Sequence, residues 1–322
     1  MTPLVWLVTG ATSGIGRATI NEIISRGDKV IASGRNVERR LGGLKSDNVA
    51  LFELDITSSI EILEQKVQEA WGIFGHIDVL FNNAGMSSMK SVEESDEAFT
   101  ARIFQTNLFA PLTLTRLFLP LLRSRAASLV SDINRYPITI AYTSSAAAWT
   151  SLPFLGTYSA SKAALSSYVE TLHKELRPLG IRCVSIECGG FPTNLGQPRS
   201  ESDTAFGTEG TSLPDAYGPW LAEVGGMFMG DPMKFMPGDL AKVGTAIVDV
   251  VKKEGAVSDK KWVGRVLLGT DAYESVVQKC EEMVKVAAEW KAVSFGTDRE
   301  EAFDGKTDKR YLKFTSIVEG EE

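Results

Sequence analysis

The stretch Val5-Trp6-Leu7-Val8-Thr9-Gly10-Ala11-Thr12-Ser13-Gly14-Ile15-Gly16 decides the fold. Its apolar start predicts a buried strand, its glycines predict a sharp turn, and a helical pattern follows directly. Glycines are needed because side chains would hold the backbone away from a pyrophosphate resting on the helix N-terminus. The stretch therefore predicts a dinucleotide-binding turn. Its candidate cofactor-binding residues are Gly10, Thr12, Ser13, Gly14, Ile15 and Gly16.

Outward from this turn, short apolar runs alternate with longer amphipathic stretches, which predicts βαβ units around a parallel sheet. The predicted strands are Val5 to Thr9, Lys29 to Ser33, Val49 to Leu54, Ile77 to Phe81, Ile138 to Thr143, Ile181 to Ile186 and Val266 to Leu268. The predicted helices are Gly14 to Arg26, Ile60 to Trp71, Glu97 to Leu122, Thr157 to Pro178, Pro237 to Lys253 and Tyr273 to Trp290. The expected fold class is α/β, a doubly wound, seven-stranded, parallel Rossmann-type sheet with helices on both faces.

Residues 1–294 are expected to form a single catalytic domain, and the charged residues 295–322 a peripheral or partly disordered tail. Two segments interrupt the alternation. The polar segment Arg123 to Arg135 suggests a surface insertion. The segment Thr193 to Met236 accumulates Gly, Pro, Met, Phe and Trp. Because solvent loops seldom hold so many large apolar side chains, it is interpreted as a lid over an apolar pocket.

The composition excludes several classes of function. The 322 residues are 43% hydrophobic and 23% charged, as in globular proteins. A net charge of −7 disfavours nucleic acid and anionic membranes as partners. Three cysteines without a CxxC spacing indicate no metal site and a reducing compartment. With no signal peptide pattern and no apolar run of the roughly 18 to 20 residues that a membrane helix needs, a cytoplasmic location is expected.

The end of the second predicted strand reads Ser33-Gly34-Arg35-Asn36. Sites that prefer NAD usually place Asp or Glu here, where a carboxylate accepts hydrogen bonds from the ribose. This chain has no acid there, and the planar guanidinium of Arg35 is a candidate clamp for a 2′-phosphate. An arginine at a strand end is also common as a solvated surface residue. We predict NADP(H), with NAD(H) as the less favoured cofactor, and assign Asp28 to a turn.

The chemistry-bearing residues lie in Tyr142-Thr143-Ser144-Ser145, which ends the fifth strand, and in Tyr158-Ser159-Ala160-Ser161-Lys162 on the following helix. Tyr158 and Lys162 are four residues apart and therefore share one helix face. The lysine charge favours the phenolate and is expected to move the tyrosine pKa from ~10 toward neutrality. Such a pair is usually incidental, but the preceding serines and the glycine turn favour a proton-transfer site.

At this point the sequence resembles the short-chain dehydrogenase/reductase family, over about residues 4 to 285. The family's TGxxxGxG turn, NNAG stretch and YxxxK signature appear as Thr9 to Gly16, Asn82 to Gly85 and Tyr158 to Lys162. Asn107 matches the family's helix-borne catalytic asparagine. The family's serine lies thirteen residues before the tyrosine, which selects Ser145 over Ser144.

The resemblance implies four catalytic residues, Asn107, Ser145, Tyr158 and Lys162. Ser145 and Tyr158 would hydrogen-bond a carbonyl oxygen, hydride would pass from the nicotinamide to the carbonyl carbon, and Tyr158 would deliver the proton. Lys162 would also hold the nicotinamide ribose, while Asn107 would keep a water in the proton relay. The cofactor supplies the difficult step, and the protein supplies position and charge.

The resemblance also implies cofactor contacts beyond the glycine turn. They are Arg35, Asp55, Ile56, Asn83, Ala84, Gly85, Tyr158, Lys162, Gly189, Phe191 and Thr193. Asp55 matches the acid at the adenine edge, and Thr193 the residue that touches the nicotinamide carboxamide. Where the family usually has a Pro-Gly pair after the sixth strand, Cys188 replaces the proline.

The expected function is NADP(H)-dependent oxidation or reduction of a hydrophobic ketone, aldehyde or secondary alcohol. One alternative is a non-redox NADP(H)-binding member of the same fold, an isomerase, dehydratase or cofactor sensor, although such members commonly lose the tyrosine or lysine. Another is a serine hydrolase, which is disfavoured because no GxSxG motif exists and His76 and His173 suit structural positions. The family often associates through the helices that carry Asn107 and Tyr158, which leaves a homo-oligomer as an open expectation.

Overall fold

The computed structural model describes residues 3–129, 138–196, 214–229 and 235–299, together with residues 312, 315, 316 and 318. Within these residues, seven strands form one sheet in the order β3-β2-β1-β4-β5-β6-β7, and every neighbouring pair is parallel. The strands are β1 (Val5–Val8), β2 (Lys29–Gly34), β3 (Val49–Glu53), β4 (Val79–Asn82), β5 (Ile138–Ser145), β6 (Ile181–Cys188) and β7 (Arg265–Leu268).

Helices cover both faces of the sheet. They are α1 (Gly14–Ser25), α2 (Val37–Leu41), α3 (Ile60–Phe74), α4 (Glu97–Phe104), α5 (Ala110–Ser128), α6 (Gly156–Leu176), α7 (Gly218–Met229), α8 (Leu240–Lys252), α9 (Thr270–Glu289) and α10 (Lys291–Phe295). This arrangement confirms the predicted doubly wound α/β fold.

The apolar run of β1 is continuous because helices bury both of its faces. Val5 and Leu7 belong to the core under α3, α5 and α6. Trp6 and Val8 belong to the opposite core, under α1 and α8. Successive side chains point to opposite faces of a strand, so four consecutive apolar residues serve two cores.

The strand order places the functional residues at the carboxyl ends of the strands. In a doubly wound sheet, ligands bind outside the carboxyl ends of the strands, where the winding direction reverses. Here β1 lies between β2 and β4, so the reversal falls beside the glycine turn. The loops that follow β2, β4, β5 and β6 lie at this same end of the sheet.

The predicted helix from Glu97 to Leu122 is helical throughout, but it is divided by a π-helical turn that the sequence did not predict. The chain forms α4, then a π-helical turn at Gln105–Phe109, and then α5, which continues to Ser128. The predicted insertion at Arg123 to Arg135 is therefore wrong in its first part, and residues 130–135 lie outside the described residues. Arg125 donates from Nε and Nη2 to the buried carboxylate of Asp78, at 3.1 and 3.0 Å, which ties α5 to the sheet.

Asp28 is a buried residue at the amino ends of the strands, on the side of the sheet away from the site. Its carboxylate accepts hydrogen bonds from the backbone N–H of Leu4, the indole of Trp6 and the ammonium of Lys252, at 3.0, 3.2 and 3.1 Å. The sequence showed only its place before β2, because its partners come from β1 and α8.

The segments predicted as lid and tail are described only in part. The predicted lid contains α7, which no local pattern had indicated. In the tail, Val318 forms an antiparallel bridge with Val263. This bridge places Val318 beside Val263, while most of residues 295–322 lie outside the described residues, so the expected tail remains a prediction.

Candidate active site

The glycine turn after β1 is too tight for side chains. Gly10 has φ +64°, and a Cβ there would lie 2.8 Å from the backbone Cα of Ala84. A Cβ on Gly16 would lie 2.5 Å from the carbonyl oxygen of Gly10. The turn thus leaves an open backbone cradle at the N-terminus of α1, which fits the pyrophosphate of a dinucleotide.

Asn83 locks this turn to the next strand. Its Nδ2 donates to the carbonyl oxygens of Thr9 and Gly10, at 3.0 and 3.2 Å. The backbone N–H groups of Asn83 and Ala84 both donate to the Thr9 hydroxyl, at 3.0 Å each. On its other side, Asn83 Oδ1 accepts from the Thr143 hydroxyl at 3.0 Å. One amide side chain therefore connects β1, β4 and β5.

Ser145, Tyr158 and Lys162 meet where β5 ends against α6. Ser145 is close enough to Tyr158 to act on its phenol and lower its pKa. The Lys162 ammonium lies 5.9 Å from the centroid of the Tyr158 ring and donates to the Thr143 carbonyl oxygen at 2.8 Å. Ser144 points elsewhere, since its hydroxyl lies 2.8 Å from that of Ser166. The structure therefore places Ser145, the serine that the thirteen-residue spacing selected, beside Tyr158.

Burial controls the titration of the pair on α6. It raises the pKa of Tyr158 to about 12, against the opposing effect of Ser145. Burial also lowers the pKa of Lys162 to about 8. The expectation that Lys162 draws the pKa of Tyr158 toward neutrality is wrong for this structure, because both groups are desolvated and the ammonium is turned to a backbone carbonyl. Tyr158 is a neutral hydrogen-bond donor at physiological pH.

Asn107 lies on the π-helical turn, a feature frequent at functional sites. Its Nδ2 donates to the Met86 carbonyl oxygen at 2.8 Å and to the Ser161 hydroxyl at 3.0 Å. Its Oδ1 accepts from the Met86 N–H at 2.8 Å. A Cβ on Gly85 would lie 3.4 Å from Asn107 Oδ1 and 3.5 Å from Lys162 Nζ. Asn107 thus fixes the chain after β4 against α6. Its partner on α6, Ser161, directly precedes Lys162.

The chain after β6 passes over the glycine turn. A Cβ on Gly14 would lie 2.9 Å from the Thr193 methyl group, so Thr193 is beside the cradle. Phe191 is buried, and the N–H of Gly190 donates to Asp271 Oδ2 at 2.6 Å. Cys188, in the place of the family's proline, is buried, and burial raises the pKa of its thiol to about 12.

The residues expected at the adenosine end lie after β2 and β3. Ile56 is buried, and Arg35 is exposed. Asp55 Oδ1 accepts from the N–H and hydroxyl of Thr57, at 2.9 and 2.7 Å. Although burial acts to raise it, these hydrogen bonds and the nearby Arg35 guanidinium lower the pKa of Asp55. The two charged candidates are therefore neighbours.

Sequence reasoning missed several residues of this edge. Thr9 and Thr143 join the glycine turn to β4 and β5, Asp271 holds the chain after β6, and Glu53 and Arg40 lie at the adenosine end. Only the threonines carried a local signal, because they belong to motifs already quoted. The others reach the site from neighbouring elements.

The α7 helix packs over the chain that follows β4. Val224 is buried, and Gly225 lies near the Met89 methyl group. The Tyr217 hydroxyl, just before α7, donates to Glu93 Oε2 at 2.9 Å, and the Tyr217 ring meets Phe154 edge-on. The predicted lid therefore has one described helix beside the candidate site.

Other classes of site have no support in the described part of the chain. No three His, Cys, Asp or Glu side chains gather there into a group that could hold a metal ion. None of the described helices is long and apolar enough to cross a membrane. His173 is buried, and its Nδ1 accepts from the Cys183 N–H at 3.3 Å, away from Ser145.

Two curated relatives are oxidoreductases by name. "Oxidoreductase BOA17" from Botryotinia fuckeliana is 25% identical over 91% of this chain and 98% of its own length. The "NADPH-dependent 1-acyldihydroxyacetone phosphate reductase" from Saccharomyces cerevisiae is 30% identical over 62% of this chain and 65% of its own length.

A solved structure and a family model agree with these relatives. A short-chain dehydrogenase from Streptomyces avermitilis superposes with a TM-score of 0.76 and 30% identity, over 92% of this chain and all of that one. The family model described as short chain dehydrogenase matches residues 4–204, more than half of the chain. With the fold and motifs described above, this match shows that the chain belongs to the short-chain dehydrogenase/reductase family of oxidoreductases.

Proposed function

We propose that the protein is an NADP(H)-dependent carbonyl reductase or alcohol dehydrogenase that acts on a hydrophobic ketone, aldehyde or secondary alcohol. The observation that carries the proposal is the approach of Ser145 to the Tyr158 phenol, with Lys162 one helical turn further on and the glycine cradle beside it. The non-redox alternative has no comparable support, because both the tyrosine and the lysine are present and buried together.

The cradle suits a nicotinamide dinucleotide because the close approaches at Gly10 and Gly16 leave room for backbone contact only. Thr193 and the Cys188 to Gly190 chain would hold the nicotinamide end, and Asp55 and Ile56 the adenine. When bound, the cofactor supplies or accepts the hydride.

In this proposal Ser145 and Tyr158 act on the substrate oxygen. The Ser145 hydroxyl would orient a carbonyl oxygen, and the Tyr158 hydroxyl would donate its proton to that oxygen during reduction. A Tyr158 pKa of about 12 keeps the phenol protonated beforehand. Lys162, with a pKa of about 8, is mostly an ammonium at neutral pH and would stabilise the phenolate that remains.

Two observations support the finer assignments. The buried Val224 of α7, with Met89 and Phe154 nearby, favours an apolar substrate. The exposed Arg35 favours NADP(H), and the yeast relative is named as an NADPH-dependent reductase. A cytoplasmic location and the absence of nucleic-acid and membrane partners remain expectations.

The test is a panel of apolar ketones, aldehydes and secondary alcohols, assayed with NADPH and with NADH. We expect nucleotide turnover with at least one apolar carbonyl compound and none with Tyr158→Phe. Tight nucleotide binding without turnover on any compound would favour the non-redox alternative, and ester cleavage without nucleotide would favour the hydrolase.

Cofactor choice needs its own measurement. Equilibrium binding should give a lower Kd for NADP⁺ than for NAD⁺, and Arg35→Ala should narrow the gap. A Gly34→Asp change would supply a ribose-binding carboxylate, but a Cβ there lies 3.1 Å from the Thr12 methyl group. It is best combined with Thr12→Ser, which removes that methyl. Equal affinity of the unmodified protein for both nucleotides would contradict the NADP(H) assignment.

A further inference from the structure

A carboxylate with no exposed surface lies on the strand next to Ser145. Glu187 is the last residue but one of β6 and is 0% exposed. In the β5–β6 register, Ser144 lies opposite Glu187 and Ser145 lies opposite Cys188. Burying an ionisable group is costly unless it is paired and hydrogen-bonded. The partners of Glu187 therefore indicate what this carboxylate supports.

The first partner is Trp149, which closes the turn after Ser145. The chain forms a 3₁₀ turn at Ala146–Ala148, and Ser145 Oγ accepts from the Ala147 N–H at 3.2 Å. The backbone N–H of Trp149 donates to the Ala146 carbonyl oxygen at 2.9 Å. The indole Nε1 of Trp149 donates to Glu187 Oε2 at 2.6 Å. The turn that directs the Ser145 hydroxyl is therefore fastened to β6 through one indole.

A second path reaches Glu187 from the other side of Ser145. The hydroxyl of the preceding residue, Ser144, lies 2.8 Å from that of Ser166 on α6, which lies 3.0 Å from that of Ser185. The Ser185 hydroxyl donates to Glu187 Oε1 at 3.5 Å. The side chains along this path are all buried. Ser145 is thus flanked by two hydrogen-bond paths that end on the same carboxylate.

Arg265, the first residue of β7, holds the carboxylate and the indole together. Its Nη1 donates to Glu187 Oε1 at 3.2 Å. Its Cζ lies over the Trp149 ring, 4.7 Å from the ring centroid. Its Nε donates to Glu170 on α6. The guanidinium therefore limits the positions that both the carboxylate and the indole can take.

We propose that Glu187 is a positioning residue that acts through Trp149 to hold the Ser145 hydroxyl at the substrate oxygen. The inference rests on the proposed function. Because the carboxylate is fully buried, it acts on the reaction through its hydrogen-bond partners. Placement matters greatly for rate, since a misplacement of about 1 Å can cost on the order of 100-fold. Hydrogen bonds from a supporting layer of residues are what prevent such misplacement.

Trp149→Phe is the informative variant, because it removes the indole N–H and keeps an aromatic ring beside Arg265. The assay uses the most active carbonyl compound of the panel and the nucleotide that the wild type prefers. We expect kcat to fall on the order of tenfold with little change in KM, because Ser145 acts mainly in the transition state.

Trp262→Phe is the matched control. Trp262 is also buried, and its indole donates to the Cys183 carbonyl oxygen of the same strand, β6, at 3.1 Å. Each variant loses one buried indole hydrogen bond, so both should lower the free energy of unfolding. Trp262→Phe should nevertheless keep kcat, because its turn does not carry Ser145.

A double-mutant cycle with Ser145→Ala separates positioning from a general structural effect. If Trp149 acts through Ser145, Trp149→Phe should cause little further loss of kcat in the Ser145→Ala background. Glu187→Gln keeps an acceptor oxygen for the indole and should retain more of the wild-type kcat than Glu187→Leu, which keeps none.

Three results would overturn the inference and leave the proposed function standing. They are an unchanged kcat in Trp149→Phe, independent losses of kcat from Trp149→Phe and Ser145→Ala, and a wild-type kcat in Glu187→Leu. Absence of turnover by the unmodified protein on every compound of the panel would overturn both.

Discussion

The ammonium of Lys162 donates a hydrogen bond to the neutral carbonyl oxygen of Thr143, at 2.8 Å. Burial therefore disfavours the charge, and the pKa of Lys162 falls from 10.5 to about 8. The hydroxyl of the same residue, Thr143, donates to Asn83 Oδ1. Lys162 therefore belongs to the chain of contacts that supports the glycine turn.

This relationship predicts a pH-dependent stability difference between the wild type and Lys162→Met. Between pH 8 and 10.5 the unfolded chain keeps the lysine proton and the folded chain releases it. Because the unfolded state then binds more protons, the lysine contribution to the free energy of unfolding rises with pH. Wild type minus variant, measured by denaturant unfolding from pH 7 to 10, should therefore increase above about pH 8, whereas a constant difference would show an ordinary pKa.

Tyr158→Phe should abolish turnover and leave nucleotide affinity nearly unchanged. Only the hydroxyl is lost, and a positioned proton donor contributes about 100-fold to 10,000-fold in rate. Tyr168→Phe is the matched control, because Tyr168 is a partly buried tyrosine on the same helix and should keep kcat. Steady-state kinetics and nucleotide titration give both quantities. A Tyr158→Phe variant with most of its kcat would refute the assignment.

Asp271→Ala should weaken nucleotide binding and destabilise the protein by about 1–3 kcal/mol, because the partly buried N–H of Gly190 loses its acceptor. Asp271→Asn keeps an oxygen there and should lose less. Chemical denaturation and nucleotide titration measure the two effects, with Glu274→Ala, an exposed acid on the same helix, as the control. Equal behaviour of Asp271→Ala and the control would mean that the Gly190 contact contributes to neither stability nor nucleotide binding.

The α7 helix should become more protected from hydrogen exchange when nucleotide and an apolar carbonyl compound bind together. Most of its described side chains are exposed, Trp220 among them, and Val224 is buried, so the helix packs on the body through few contacts. Exchange measured by mass spectrometry should slow in α7, while the buried residues of α1, such as Ile20, stay slow in both states. Equal protection of α7 with and without ligands would contradict the lid interpretation.

Local patterns predicted the fold and the main motifs because each depends on neighbouring residues. The glycine turn, the alternation of strands and helices and the Tyr158–Lys162 spacing are all of this kind. The π-helical turn at Gln105–Phe109 was not predictable from apolar periodicity, which indicated one continuous helix.

Residues whose roles depend on distant elements were also missed. Glu53 reaches the β2 end through the strand register, and Arg40 reaches Thr12 across the sheet edge. The direction of the Tyr158 pKa failed for a similar reason. A spacing of four residues places a charge nearby, but only the packing shows that burial outweighs it.

The chain just before the predicted lid is hydrogen-bonded to the chain just after it. The N–H of Gly238 donates to the Gly190 carbonyl oxygen at 3.0 Å, and a Cβ on Gly238 would collide with the Phe191 ring. The segment between Gly190 and Gly238 therefore begins and ends at the same place on the domain, like a loop whose two ends are joined. Since each doubling of a loop's length costs only about 0.6 kcal/mol, this segment can be lengthened, shortened or exchanged between relatives at little energetic cost. Under the proposed function, substrate specificity can therefore change while the nucleotide cradle stays the same.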